Sequence, residues 1–299
     1  YQENPFELRI AANNGKAVGE KVYGLSSCLG HDVSSSFAEF EVGKQLYLSC
    51  GDSAKTDLGS ESVDAVITDP PFFDNVHYSQ LADFFYVWQR HILGQNSNHA
   101  VASTRSEAEV QTSDSGAFAK RLGRVWLECR RVLRPDGLLV FTYHHSRPEG
   151  WRSILEALVR ADFGITAAHP VKAEMSVAQP KHQAKEPIDL DVILVCRRRE
   201  VTNRQPPRLA EILPEATVEA RNQVVRLNNV GRRLSRNDGR VVLMAQIIKR
   251  LSWHPSFMDS LRFLDSHHPS LERAIDELYD SQKVVERISN TSRAQFELC

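Results

Sequence analysis

The sequence predicts an α/β protein: a largely parallel sheet covered on both faces over residues 45–200, followed by a helical C-terminal region. Three observations carry this. Apolar runs with strand character mostly alternate with segments of helical period between residues 45 and 200, the pattern of parallel sheets with crossover helices. One of those runs stops at Asp69-Pro70-Pro71, where proline removes the ladder donor. After Pro206-Pro207 the texture turns helical, with little strand character.

Residues 1–44 read as an irregular N-terminal segment, with loop signals at Asn13-Asn14-Gly15 and Ser34-Ser35-Ser36. A first strand is expected over 45–50, ending at Gly51-Asp52, and a second over 63–68. Leu81, Phe84, Phe85 and Trp88 recur at helical spacing, so 79–93 is expected as a helix with Ser79 as N-cap and its aromatics (Phe84, Phe85, Tyr86, Trp88) in the core, the alternative being a base-stacking platform. Residues 94–116 are polar and read as a long loop, either a recognition or lid element or a disordered one. Residues 118–133 form a helix with a basic face: Lys120, Arg121, Arg124, Arg130 and Arg131. Arg134-Pro135-Asp136-Gly137 is a turn, and 138–143 a buried strand ending at His144-His145. A helix over 149–160 and strands over 164–168 and 191–196 complete this catalytic-sized region, 45–200. A basic linker (Arg197, Arg198, Arg199, Arg204, Arg208) leads into residues 201–299, with helices expected over 241–251, 257–264 and 271–288.

Composition narrows the function classes. Of 299 residues, 41% are hydrophobic and the formal net charge is −1, an ordinary globular balance that excludes a histone-like basic coat. No apolar run approaches the ~20 residues that span a bilayer. No signal peptide opens the sequence. Its five cysteines (Cys28, Cys50, Cys129, Cys196, Cys299) form no CxxC pair, which excludes a zinc ribbon and points to a reducing, cytoplasmic setting. Cys50 and Cys196 read as buried strand residues.

In open α/β sheets ligands bind beyond the carboxyl ends of the strands. Asp52, Asp69 and His144 all fall at such ends. An exocyclic amine on a nucleobase is a poor nucleophile, because its lone pair is delocalised into the ring. Two acceptors at fixed angles hold both amine hydrogens and favour a pyramidal nitrogen. The Asp69 carboxylate supplies one acceptor and the Pro70 carbonyl the other, since proline has no N–H and its ring fixes the backbone. Phe72 offers a flat face to a base drawn out of its stack. No Pro-Cys pair occurs, which argues against cytosine carbon-5 chemistry through a covalent thiolate. The competing reading of Asp69 is an ordinary turn residue.

Asp69-Pro70-Pro71-Phe72, closing a buried strand downstream of Gly51-Asp52, resembles the DPPY-type motif of S-adenosylmethionine-dependent amino-methyltransferases. Phe73, Asp74, Asn75, Val76, His77 and Tyr78, then 82–88, resemble large prokaryotic adenine-specific DNA methylases. The segment 132–141 is similar to the turn and strand that follow the motif in many methyltransferases. The resemblance covers roughly residues 45–200. It implies a Rossmann-like class I methyltransferase sheet, S-adenosylmethionine as cofactor, DNA as partner, methylation of adenine N6, a prokaryotic cytoplasm and a role in restriction-modification or phage defence. It implies Asp69, Pro70, Pro71 and Phe72 as catalytic. Asp52 reads equally as a cofactor contact or a turn residue. Phe73, Asn75, His77, Tyr78 and His144 are candidates to line the base pocket, and no metal site is expected. The basic residues at 120–134 and 197–208 read as phosphate contacts or as solvated faces.

One departure stands out. The family's Gly-rich cofactor loop, F-x-G-x-G, occurs nowhere in the sequence, and the first residue is Tyr1. The sheet is therefore expected to be incomplete, with the loop supplied by an upstream segment or a companion chain. The alternatives are an RNA base methyltransferase, acting on guanine N2 or adenine, N4-cytosine methylation, and a non-catalytic nucleic-acid-binding subunit.

Overall fold

The computed structural model describes residues 7–13, 16–22, 32–34, 36–40, 45–49, 51–74, 76–93, 102–173, 188–201 and 205–280. The chain divides into two units, residues 1–58 and 59–299.

In the first unit β1 (Glu7–Asn13) pairs antiparallel with β2 (Lys16–Val22), from Glu7↔Val22 to Asn13↔Lys16. The expectation of an irregular segment missed this ladder. Its signals were present: Glu7-Leu8-Arg9-Ile10 alternates polar and apolar, and Asn14-Gly15 is the commonest hairpin dipeptide. β3 (Asp32–Ser34) and β4 (Gln45–Tyr47) form a short parallel pair. β4 is shorter than the expected 45–50 strand, and Cys50 lies outside the described residues.

The second unit carries β5 (Val63–Thr68), α1 (Tyr78–Leu93), α2 (Ser115–Val132), β6 (Leu133–Tyr143), α3 (Pro148–Arg160), β7 (Phe163–Lys172) and β8 (Leu190–Arg198). Three helices follow, α4 (Leu209–Asn229), α5 (Arg236–Leu251) and α6 (Phe257–Ser266), and residues 268–280 are helical as well. The sheet order is β5-β6-β8-β7. β5 and β6 are parallel, whereas β8 is antiparallel to both β6 and β7. The sheet is thus mixed rather than largely parallel. The consecutive strands β7 and β8 are direct antiparallel neighbours, a pairing that needs no crossover to the far end of the sheet. Pro170 sits on β7, an edge strand, the place in a sheet where proline is tolerated.

Only one sheet face is fully buried among the described residues. Leu139, Phe141 and Tyr143 of β6 and Val192, Leu194 and Cys196 of β8 are at most 1% exposed. Trp126 of α2 packs on Phe141 at 4.9 Å between ring centroids, and Trp151 of α3 meets Tyr143 edge-on at 5.3 Å. Across the sheet Val140, Thr142, Asp191, Ile193 and Val195 are only half-buried, and Ile67 is exposed. Among the described residues the expected cover on both faces is not seen there. The expected turn 134–137 lies inside β6 as a bulge: Val63 pairs Leu133, but Ala65 pairs Leu138. A Cβ on Gly137 would lie 3.0 Å from the carbonyl oxygens of Arg134 and Asp64, so the bulge needs glycine there.

α4 escaped the sequence reading. Its buried stripe, Ile212, Ala216, Ala220 and Val224, is a narrow line of mostly small residues. The C-terminal helices share one core with the sheet. Ser235 caps α5 in a capping box with Asp238, and Asp238 also accepts the N–H groups of Asp189 and Leu190 at 2.8 and 3.0 Å. That ties α5 to the start of β8. The tail of the expected 271–288 helix, beyond residue 280, lies outside the described residues.

Candidate functional site

β5 ends as the sequence predicts, and Asp69 follows it, exposed, with Pro70 buried behind it. The Thr142 hydroxyl donates to Asp69 Oδ1 from near the end of β6, the neighbouring strand. One carboxylate oxygen is thereby oriented. Phe72, half-buried, stands edge-on to Tyr143 at 5.2 Å and to His144 at 4.6 Å. His144 Nδ1 is bonded to Asp191 Oδ1, and the two side chains are 20% and 15% exposed. Asp191 lies just before Val192, the partner of Tyr143, so it faces His144 beyond the last rung of the β6–β8 ladder. The site is a cluster at one corner of the sheet: Asp69, Phe72, Thr142, His144 and Asp191.

The loop under this cluster is locked by His145, which is buried. Its Nδ1 accepts the Arg147 N–H at 2.9 Å, which leaves Nε2–H to donate to the Phe73 carbonyl at 2.7 Å. The His145 carbonyl accepts Trp151 Nε1–H at 2.9 Å. Burial holds the His145 imidazole below the usual histidine range. Phe73 is 4% exposed and stacks edge-on against Phe118 at 5.6 Å. Its ring belongs to the core and not to the open side of the site. Asp74 adopts φ +49° and accepts Arg147 Nη2 at 2.8 Å; that hydrogen bond holds its carboxyl below the usual range. His77 Nε2 lies 3.5 Å from Asp74 Oδ1. Tyr78 opens α1 and is 56% exposed. Asn75 lies outside the described residues.

Asp52 belongs to the first unit and is described with it. Its Oδ1 accepts the Ala54 N–H at 2.8 Å and its carbonyl the Lys55 N–H at 2.9 Å, the bonding of a turn residue.

Several expectations change here. Ser79 does not cap α1; its N–H donates to Glu109 Oε1 at 3.3 Å, thirty residues on. The α1 aromatics are not core: Phe84, Phe85 and Trp88 are 66%, 64% and 59% exposed. The described part of the 94–116 loop is tied to α1. Asp83 accepts the Ser103 and Thr104 hydroxyls and the Thr104 N–H, and pairs with Arg105 at 3.1 Å. The Thr104 hydrogen bonds foremost bring its carboxyl down to about 2. Most of the basic residues are occupied within the chain. Arg130 pairs with Glu200, Arg131 with Glu128 and Arg134 with Asp64, while Arg198 donates to the Arg130 and Leu133 carbonyls and Arg199 to that of His254. Arg204 lies outside the described residues.

Thr142 and Asp191 escaped the sequence reading. Thr142 carries a legible signal, since it shares a strand face with His144 two residues on. Asp191 has none, because only the β6–β8 register brings it to His144. Among the described residues no group of three or more His, Cys, Asp or Glu could hold a metal ion, and no helix is long and apolar enough to cross a membrane.

No family model matches the sequence, and no curated protein does. A Thermus thermophilus protein of solved structure, provisionally assigned as a DNA modification methylase, is similar at 19% identity with a TM-score of 0.30. The likeness covers 56% of this chain and 57% of that one.

Proposed function

We propose that this chain methylates the exocyclic amino group of a DNA base, adenine N6, with S-adenosylmethionine as donor. The observation that carries the reading is the Asp69-Pro70-Pro71-Phe72 turn at the open end of β5, with the Asp69 carboxylate oriented by Thr142. Asp69 Oδ2 and the Pro70 carbonyl accept the two amine hydrogens, which returns lone-pair density to the nitrogen. Phe72 borders the base, and His77, Tyr78 and His144 line its pocket. The cofactor, when bound, supplies an electrophilic methyl on a sulfonium. The residues present fit that end of it: a cation suits a corner that carries the carboxylates Asp69 and Asp191. Among the described residues none forms a cradle for its methionine end, and that part falls to a companion segment with a Gly-rich loop.

The test is transfer of radiolabelled methyl from S-adenosylmethionine to duplex DNA, with nucleoside analysis by mass spectrometry. The expected product is N6-methyladenine, lost in Asp69→Ala. Labelling of structured RNA in preference to duplex DNA, or full activity of Asp69→Ala, refutes the reading.

A further inference from the structure

The His144–Asp191 pair has no part in holding the amine, yet it stands in the same corner. Asp191 Oδ1 engages His144 Nδ1. A carboxylate there fixes the tautomer with the proton on Nδ1 and leaves Nε2 with its lone pair free. Among the described residues Nε2 has no hydrogen-bond partner, and its ring edges Phe72 at 4.6 Å. Thr142, the residue that orients Asp69, is two positions earlier on the same strand face, roughly 6–7 Å away along the backbone. That separation suits a water-bridged hydrogen bond from an amine held by Asp69.

We infer that His144, positioned by Asp191, is the base that accepts the proton released when the amine is methylated. The inference rests on the methyltransferase reading above. The balance is complete. The amine nitrogen forms a bond to the methyl carbon as the sulfonium–carbon bond breaks, and the electron pair stays on sulfur, giving a neutral thioether. The nitrogen then carries one proton too many; His144 Nε2 takes it, and Asp191 stabilises the imidazolium before the proton passes to water. Asp69 stays a hydrogen-bond acceptor throughout.

The groups that face His144 are Asp191 from β8, Asp69 across Thr142 from β5, and His145 and Arg147 along its own loop. Two measurements on the full chain test the assignment. In imidazole ¹⁵N NMR at neutral pH, wild-type His144 shows a protonated Nδ1 and a bare Nε2, and Asp191→Asn disturbs that tautomer. In methyl transfer to an adenine-containing duplex, the wild-type rate falls on the acid side. His144→Gln removes that acid limb and lowers the rate by about 10²-fold, the lower end for general-base catalysis, while Asp191→Asn moves the limb to lower pH. DNA binding and thermal midpoint stay near wild type in both variants. A bare Nδ1, or a His144→Gln protein that keeps the acid limb, overturns the assignment and leaves the methylation reading standing. A uniform loss of rate with an unmoved limb reduces the pair to a strand clamp. A wild-type chain that labels no base even when supplied with the companion segment carrying the Gly-rich loop removes the methylation reading, and the dyad's catalytic role with it.

Discussion

Gly150→Ala is a perturbation whose sign the tertiary structure decides. Gly150 lies in the first turn of α3. For an isolated helix the change stabilises by about 0.5–1 kcal/mol, because alanine has less backbone freedom to lose. Here a Cβ would sit 2.3 Å from His145 Cγ and 2.6 Å from Nδ1, well inside van der Waals contact. His145 is buried and held on three sides, by the Arg147 N–H, the Phe73 carbonyl and Trp151. It cannot swing away freely. Overpacking of this kind costs about 1–3 kcal/mol. Displacing the ring also weakens two internal hydrogen bonds worth about 1 kcal/mol each. The net expectation is a destabilisation of about 2–4 kcal/mol, read as a lower urea midpoint at unchanged slope. The double variant Gly150→Ala/His145→Ala is the control. With the ring removed the new methyl has room, so the double variant should be no less stable than His145→Ala alone, a clear failure of additivity. A Gly150→Ala protein as stable as wild type, or more so, refutes the claim that the close approach of α3 locks this loop.

Three further outcomes are expected. Burial lowers the folded-state pKa of His145 below its unfolded value, so the unfolded chain binds the extra proton first; stability is full above the unfolded histidine range and declines as pH falls through it, and His145→Gln should flatten that part of a urea-midpoint series. Asp69→Asn should cut methyl transfer by about 10²–10³-fold with little change in thermal midpoint, since Asp69 is exposed; comparable losses of melting temperature and activity would refute a chemical role. Phe84→Ser and Trp88→Ser should each change folding stability by no more than about 0.5 kcal/mol, as expected for exposed positions and not for core ones, which cost about 3–5 kcal/mol.

The local features were legible because they are written in neighbouring residues. The strand ending at Asp69-Pro70, the helices around Trp126 and Ile154 and the buried strand at Phe141 follow from short-range period and from proline's missing donor. The chemistry of Asp69 and Pro70 follows in the same way, since both acceptors lie in one dipeptide. The aromatic stripe of α1 shows the limit of such reasoning. Periodicity established which residues share a helix face, and it could not say whether anything packs on that face; among the described residues Phe84 and Trp88 stay exposed. Strand direction was beyond the sequence for a related reason. Nothing local to residues 163–172 and 190–198 states which neighbour each strand joins, and the antiparallel β6–β8 pairing emerges only from the shared burial of Phe141, Leu194 and their neighbours. The same register brings Asp191, 47 residues distant in sequence, onto His144. Residue types and local turns are properties of the chain, so the amine-holding motif belongs to the sequence; which carboxylate meets which imidazole depends on long-range pairing, and tertiary structure alone decides it.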